Sequence, residues 1–138
     1  MSTIRSSRFL RNALALDAAA CAGMGLVLAG AAGALAGPLG LPTGFLRGAG
    51  LVLLPCAALL AWFASRETLP RWAVHLVVAV NLIWIADSVL ILLAGWFAPS
   101  SLGIAFVLGQ ALAVAVVTEL EIIGLKRSAE VPAPMIPA

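Results

Sequence analysis

Four long apolar stretches, at roughly 13–36, 45–65, 72–97 and 102–125, decide what this chain can fold into. Each supplies the ~20 mostly apolar residues that carry a helix across the hydrocarbon core of a bilayer. Composition points the same way. Of the 138 residues, 63% are hydrophobic and 10% charged, against ~25% charged in soluble domains. So little polar side-chain surface cannot cover a water-soluble globule. The sequence predicts an all-α fold, an integral membrane four-helix bundle with a single domain at 13–127.

The breaks between the stretches have their own chemistry. "GPLGLPTG" at 37–44 holds prolines and glycines that stop the first helix, and Thr43 caps the second. "SRETLPR" at 65–71 gathers polar residues around Pro70, and "APSS" at 98–101 offers Ser100 or Ser101 as an N-cap. Pro55 removes a backbone bond inside the second helix. The segment 1–12 precedes the first span, and the Pro-rich tail 128–138 is expected to lack structure.

Charge sets the orientation. Arg5, Arg8 and Arg11 precede the first span, Arg66 and Arg71 lie between the second and third, and Lys126 and Arg127 follow the fourth. Of the eight basic residues only Arg47 falls on the other side. The positive-inside rule therefore predicts both termini cytoplasmic, in a bacterial inner membrane. The first apolar run exceeds the ~7–15 residues of a signal-peptide core, so it is read as a retained helix. The few basic residues sit at segment ends, which excludes a nucleic-acid surface.

In lipid the informative residues are the small and the polar ones. Gly23, Gly30 and Gly37 recur every seven positions, and Ala29, Gly33 and Gly37 form a small-xxx-small ladder. They read as contacts within the chain's own bundle, with a homo-oligomer as the alternative. Ionisable groups at membrane depth face the bundle interior and find partners. Counted from the basic residues, Asp17, His75, Glu119 and Glu121 form one layer near the cytoplasmic edge, while Asn81, Asp87, Ser88 and Gln110 lie deeper. Glu121 is favoured over Glu119 for the interior, because it shares a stripe with Gly103 and Gln110. Asn81, Trp84, Asp87 and Ser88 are read as one polar face, with Asp87 either paired to Arg47 or held neutral by desolvation. Trp62, Trp72 and Trp96 sit near span ends, where indoles anchor to headgroups.

Several functions are excluded or disfavoured. A single His cannot supply bis-His haem ligation. Cys21 and Cys56 lie in apolar runs without metal-ligand spacing, and read as buried free thiols. No Ser/His/Asp or HExxH constellation supports an enzyme. No cofactor or metal is expected.

Four spans and an early acidic residue are similar to the small multidrug-resistance transporters, but Asp17 stands in place of their glutamate and the chain has no tyrosine. Over residues 10–127 its architecture resembles more closely the small four-helix bacterial inner-membrane proteins exemplified by the DoxX-like group. The resemblance rests on architecture and on no motif, and implies a fold without an activity. The expected function is that of a non-catalytic accessory or regulatory subunit. It would bind a membrane-protein partner or lipid through the intramembrane polar residues Asp17, His75, Asn81, Trp84, Asp87, Ser88, Gln110 and Glu121. The alternative is a small oligomeric transporter or channel with Asp17, Asp87 and Glu121 lining its path.

Overall fold

The computed structural model describes residues 2–132 and 134. Along the chain come β1 (Thr3–Arg5), α1 (Arg8–Leu39), α2 (Thr43–Ala64), β2 (Thr68–Pro70), α3 (Arg71–Ala94), α4 (Ser101–Lys126) and β3 (Ala129–Val131). All four helices are long and apolar enough to cross a membrane. Their limits depart from the apolar stretches where local backbone and caps decide them, although Thr43 does not cap α2, which begins after Pro42 without a side-chain cap. The first helix starts before residue 13, at Arg8, where the Ser7 hydroxyl accepts from the Leu10 N–H. Pro38 does not stop it. The stop comes at Gly40, whose φ of 64° suits glycine. There Gly40 N donates to Gly37 O and Leu41 N to Ala36 O, the paired bonds of a Schellman turn. The third helix ends at Ala94, short of residue 97, because Gly95 also takes a left-handed conformation with φ 70°.

The expectation of an unstructured segment from 128 fails at residues 129–131. Those residues form β3, and β1 lies between β2 and β3, antiparallel to both. The reason is a plug. Ile4 pairs with Leu69, and both are buried against Leu10, Leu14, Phe63, Val74 and Leu125 at the end of the bundle. Full burial of such side chains contributes about 1.5–3 kcal/mol each. The Arg71–Glu130 ion pair beside them, 2.8 Å apart, is exposed and on that account worth only ~0–1 kcal/mol. Ser7 closes the clasp, donating its hydroxyl to Gly124 O while its N–H reaches the Ser128 hydroxyl. Of the predicted tail, residues 133 and 135–138 lie outside the described residues.

The helices pack as a chain of neighbours: α2 on α1, α1 on α4, α4 on α3. Along α2 and α3 the bundle stays parted, and a cleft runs between them. A close contact of α1 with α2 uses Gly25 and Gly50, where an added Cβ on Gly50 would come within 2.8 Å of Gly25 O. The expected ladder is therefore misphased. Gly23, Gly30, Gly33 and Gly37 face open space, while Gly25, Leu28 and Ala32 turn inward. Outside, Leu26, Ile83, Leu93 and Leu112 are each more than half exposed, a surface suited to lipid rather than water.

Candidate functional site

Two polar clusters are built into the apolar interior, one above the other. The first, nearer the sheet, joins three helices. Asn81 on α3 donates through its single amide nitrogen to Asp17 Oδ2 on α1 at 3.2 Å and to Glu121 Oε2 on α4 at 3.1 Å. All three residues are buried. One turn beyond Asp17, the Cys21 thiol donates to Asp17 Oδ1 at 3.5 Å. The remaining oxygen, Glu121 Oε1, is buried with no hydrogen-bond partner. An amide with two N–H groups is the shortest side chain able to satisfy carboxyls on two other helices at once.

The second cluster ties α3 to α4. Trp84 Nε1 donates to Gln110 Oε1 at 2.7 Å, Gln110 Nε2 donates to Ser88 Oγ at 2.8 Å, and Ser88 Oγ donates to Trp84 O at 2.7 Å. The ring closes on itself, so these groups are satisfied without a ligand. Beside it lies a cavity of about 370 Å³, walled by residues of all four helices including Leu28, Gly48, Val52 and Phe106. Its polar lining is confined to Trp84, Asp87, Ser88 and Gln110. A smaller cavity of about 110 Å³ lies toward the sheet, lined by Asp17, Cys21, Cys56 and Asn81. Trp84 lines both and stands between them.

Of the residues expected in the site, Asp17, Asn81 and Glu121 come together, as do Trp84, Ser88 and Gln110. His75 does not join Asp17 and Glu121; it is exposed. Its place is taken by Asn81, which depth counting had assigned to a deeper layer. The count from Arg11 misled because Arg11 already lies inside α1, with Nε donating to Ala64 O. Asp87 is corrected as well. It neither shares the Asn81 face nor pairs with Arg47: Arg71–Glu130 is the one salt bridge among the described residues. At about 100° per residue, Asp87 lies about 120° around the helix from Asn81, whereas Ser88 lies within about 20° of it. Asp87 is exposed at the cavity wall. Glu119 is exposed and Glu121 buried. The thiol of Cys21 was missed as a partner, although its spacing of four from Asp17 was a readable signal.

Comparisons with family models, with curated proteins and with solved structures find no match for this chain. The geometry defines a four-helix bundle whose helices are long and apolar enough to cross a membrane, with a polar-floored cleft between two of them.

Proposed function

We propose that this chain is a non-catalytic, multi-pass protein of the bacterial inner membrane, with the four-helix architecture of the DoxX-like group. In this reading it is an accessory or regulatory subunit that holds an amphiphilic lipid or lipid-like segment of a membrane partner in the α2–α3 cleft. One observation carries the reading. Asp87 is a carboxylate at the wall of an apolar cavity of about 370 Å³, without a protein hydrogen bond or ion pair among the described residues. Ligand cavities of ~300–1,000 Å³ with apolar walls and few polar groups are the usual form of small-molecule sites. The neighbouring polar groups are consumed by their own ring, which leaves Asp87 to receive a ligand head bearing a hydrogen-bond donor or positive charge.

The test is occupancy. Gly48 lines the cavity and a Cβ there meets nothing, so Gly48→Leu fills the space without disturbing backbone. Native mass spectrometry of protein extracted in mild detergent should show a co-purifying amphiphile on the wild type. At least a tenfold loss is expected in Gly48→Leu and in Asp87→Asn. Equal occupancy in all three proteins would overturn the reading.

The alternative of an oligomeric transporter draws support from the two cavities meeting at Trp84. Against it, Glu121 lines neither of them.

Orientation belongs to the same proposal. The sheet gathers the N-terminal strand, the α2–α3 connection and β3 at one end, which is where all basic residues but Arg47 occur. Reporter fusions at Thr68 and after β3 should read cytoplasm, and fusions at Thr43 and Ser100 periplasm. A periplasmic reading at Thr68 would reverse the topology.

A further inference from the structure

We propose that Asp17 and Glu121 form a proton-binding site, with one proton held between their carboxyls and Asn81 bridging them. The inference goes beyond the amphiphile reading and does not depend on it, since the pair lies away from the larger cavity.

Hydrogen-bond counting carries the proposal. Two carboxyls present four oxygens, and the donors that reach them are the two N–H groups of Asn81 and the thiol of Cys21. Glu121 Oε1 is left over, inside a side chain with 0% exposure. Buried acceptors are nearly always satisfied, and one without a partner calls for an ion or a hydrogen not yet counted. A proton on the pair supplies that missing donor.

Charge counting agrees. Fully ionised, the site would hold two negative charges whose oxygens both lie within 3.2 Å of one amide nitrogen. The titratable groups facing it are Cys21 from α1 and Cys56 from α2, across the smaller cavity. No Lys, Arg or His lines that cavity among the described residues, and His75 on α3 is exposed. Two unpaired buried charges of one sign are strongly disfavoured. A single proton removes one of them.

A metal ion fits less well. The described residues hold no group of three His, Cys, Asp or Glu placed to grip one, and Asn81 turns its N–H groups, not its carbonyl, toward the carboxyls. Asp17 and Asn81 line the smaller cavity, which gives water a route to the pair. Uptake from hydronium forms one carboxyl O–H bond and releases a water molecule; release reverses it.

The chain has six acidic residues, and the other four, Glu67, Asp87, Glu119 and Glu130, are all exposed. Changing those four to their amides leaves Asp17 and Glu121 as the only side-chain carboxyls and touches no buried group. Infrared spectra of this fourfold variant in lipid at neutral pH should show the carbonyl stretch of a protonated carboxylic acid, shifted on exchange into D2O. Asp17→Asn with Glu121→Gln should remove the band from the wild type. Its absence from the fourfold variant would overturn the proposal. So would its disappearance on adding sodium at constant pH, which would make the pair a cation site instead.

Discussion

Gly50→Leu is expected to destabilise the bundle by several kcal/mol, enough to abolish recovery of folded protein in detergent. A Cβ at this position would lie 2.5 Å from Ala29 N, 2.8 Å from Gly25 O and 2.9 Å from Leu28 C. All three are backbone atoms of α1, so no rotamer change makes room and the helices themselves must separate. Overpacking of a close contact costs about 1–3 kcal/mol and occasionally more; a purely backbone obstacle belongs at the upper end. The contact also lies within the α1–α2 pairing, the most extensive helix pairing in the bundle. Gly48→Leu is the control. It makes the same chemical change two residues earlier, where a Cβ meets nothing. In a helix interior it gains up to ~1 kcal/mol over glycine through propensity. Thermal unfolding of the two variants in one detergent should therefore diverge in sign. Equal melting temperatures would mean that α1 and α2 do not meet at Gly50.

This contact also shows where sequence reading runs out. That small residues mark helix contacts in α1 was legible, since Gly25 and Ala29 are themselves spaced by four. Which of them point inward was not, because nearly every position from Ala18 to Gly37 is small or aliphatic and several phases fit equally well. The helices were readable for the opposite reason: a span of apolar residues admits one solution in lipid. Three-residue strands have no such periodic signature, so the plug made by Ile4 and Leu69 went unseen. Depth counting puts Asp17 and Glu121 in one layer, but it puts the exposed His75 and Glu119 there as well, and only the stripe singles out Glu121 over Glu119 for the interior. The bridging role of Asn81 was hidden by measuring depth from charges rather than from helix ends. Asp87 drew attention as a carboxylate in an apolar run, and helical phase explains why it stands apart from the residues beside it.

Asn81→Leu should be severely destabilising in the wild type and nearly harmless once the carboxyls are gone. The substitution leaves Asp17 Oδ2 and Glu121 Oε2 without the donor they share. Orphaning a buried acceptor costs about 1–3 kcal/mol, and more where it is charged. Two such oxygens on a core contact therefore make a loss on the order of 2–6 kcal/mol. In the background Asp17→Asn with Glu121→Gln, each amide brings its own donor and acceptor, and the two can bond to each other without Asn81. There the substitution removes ordinary interhelical hydrogen bonds, which average only ~0.6 kcal/mol in membrane proteins. The difference between backgrounds should exceed ~1 kcal/mol, well within the range found for residues of one network. Chemical or thermal unfolding of the four proteins in a common detergent measures it. If Asn81→Leu costs the same small amount in both backgrounds, Asp17, Asn81 and Glu121 act as three independent helix contacts rather than as one site.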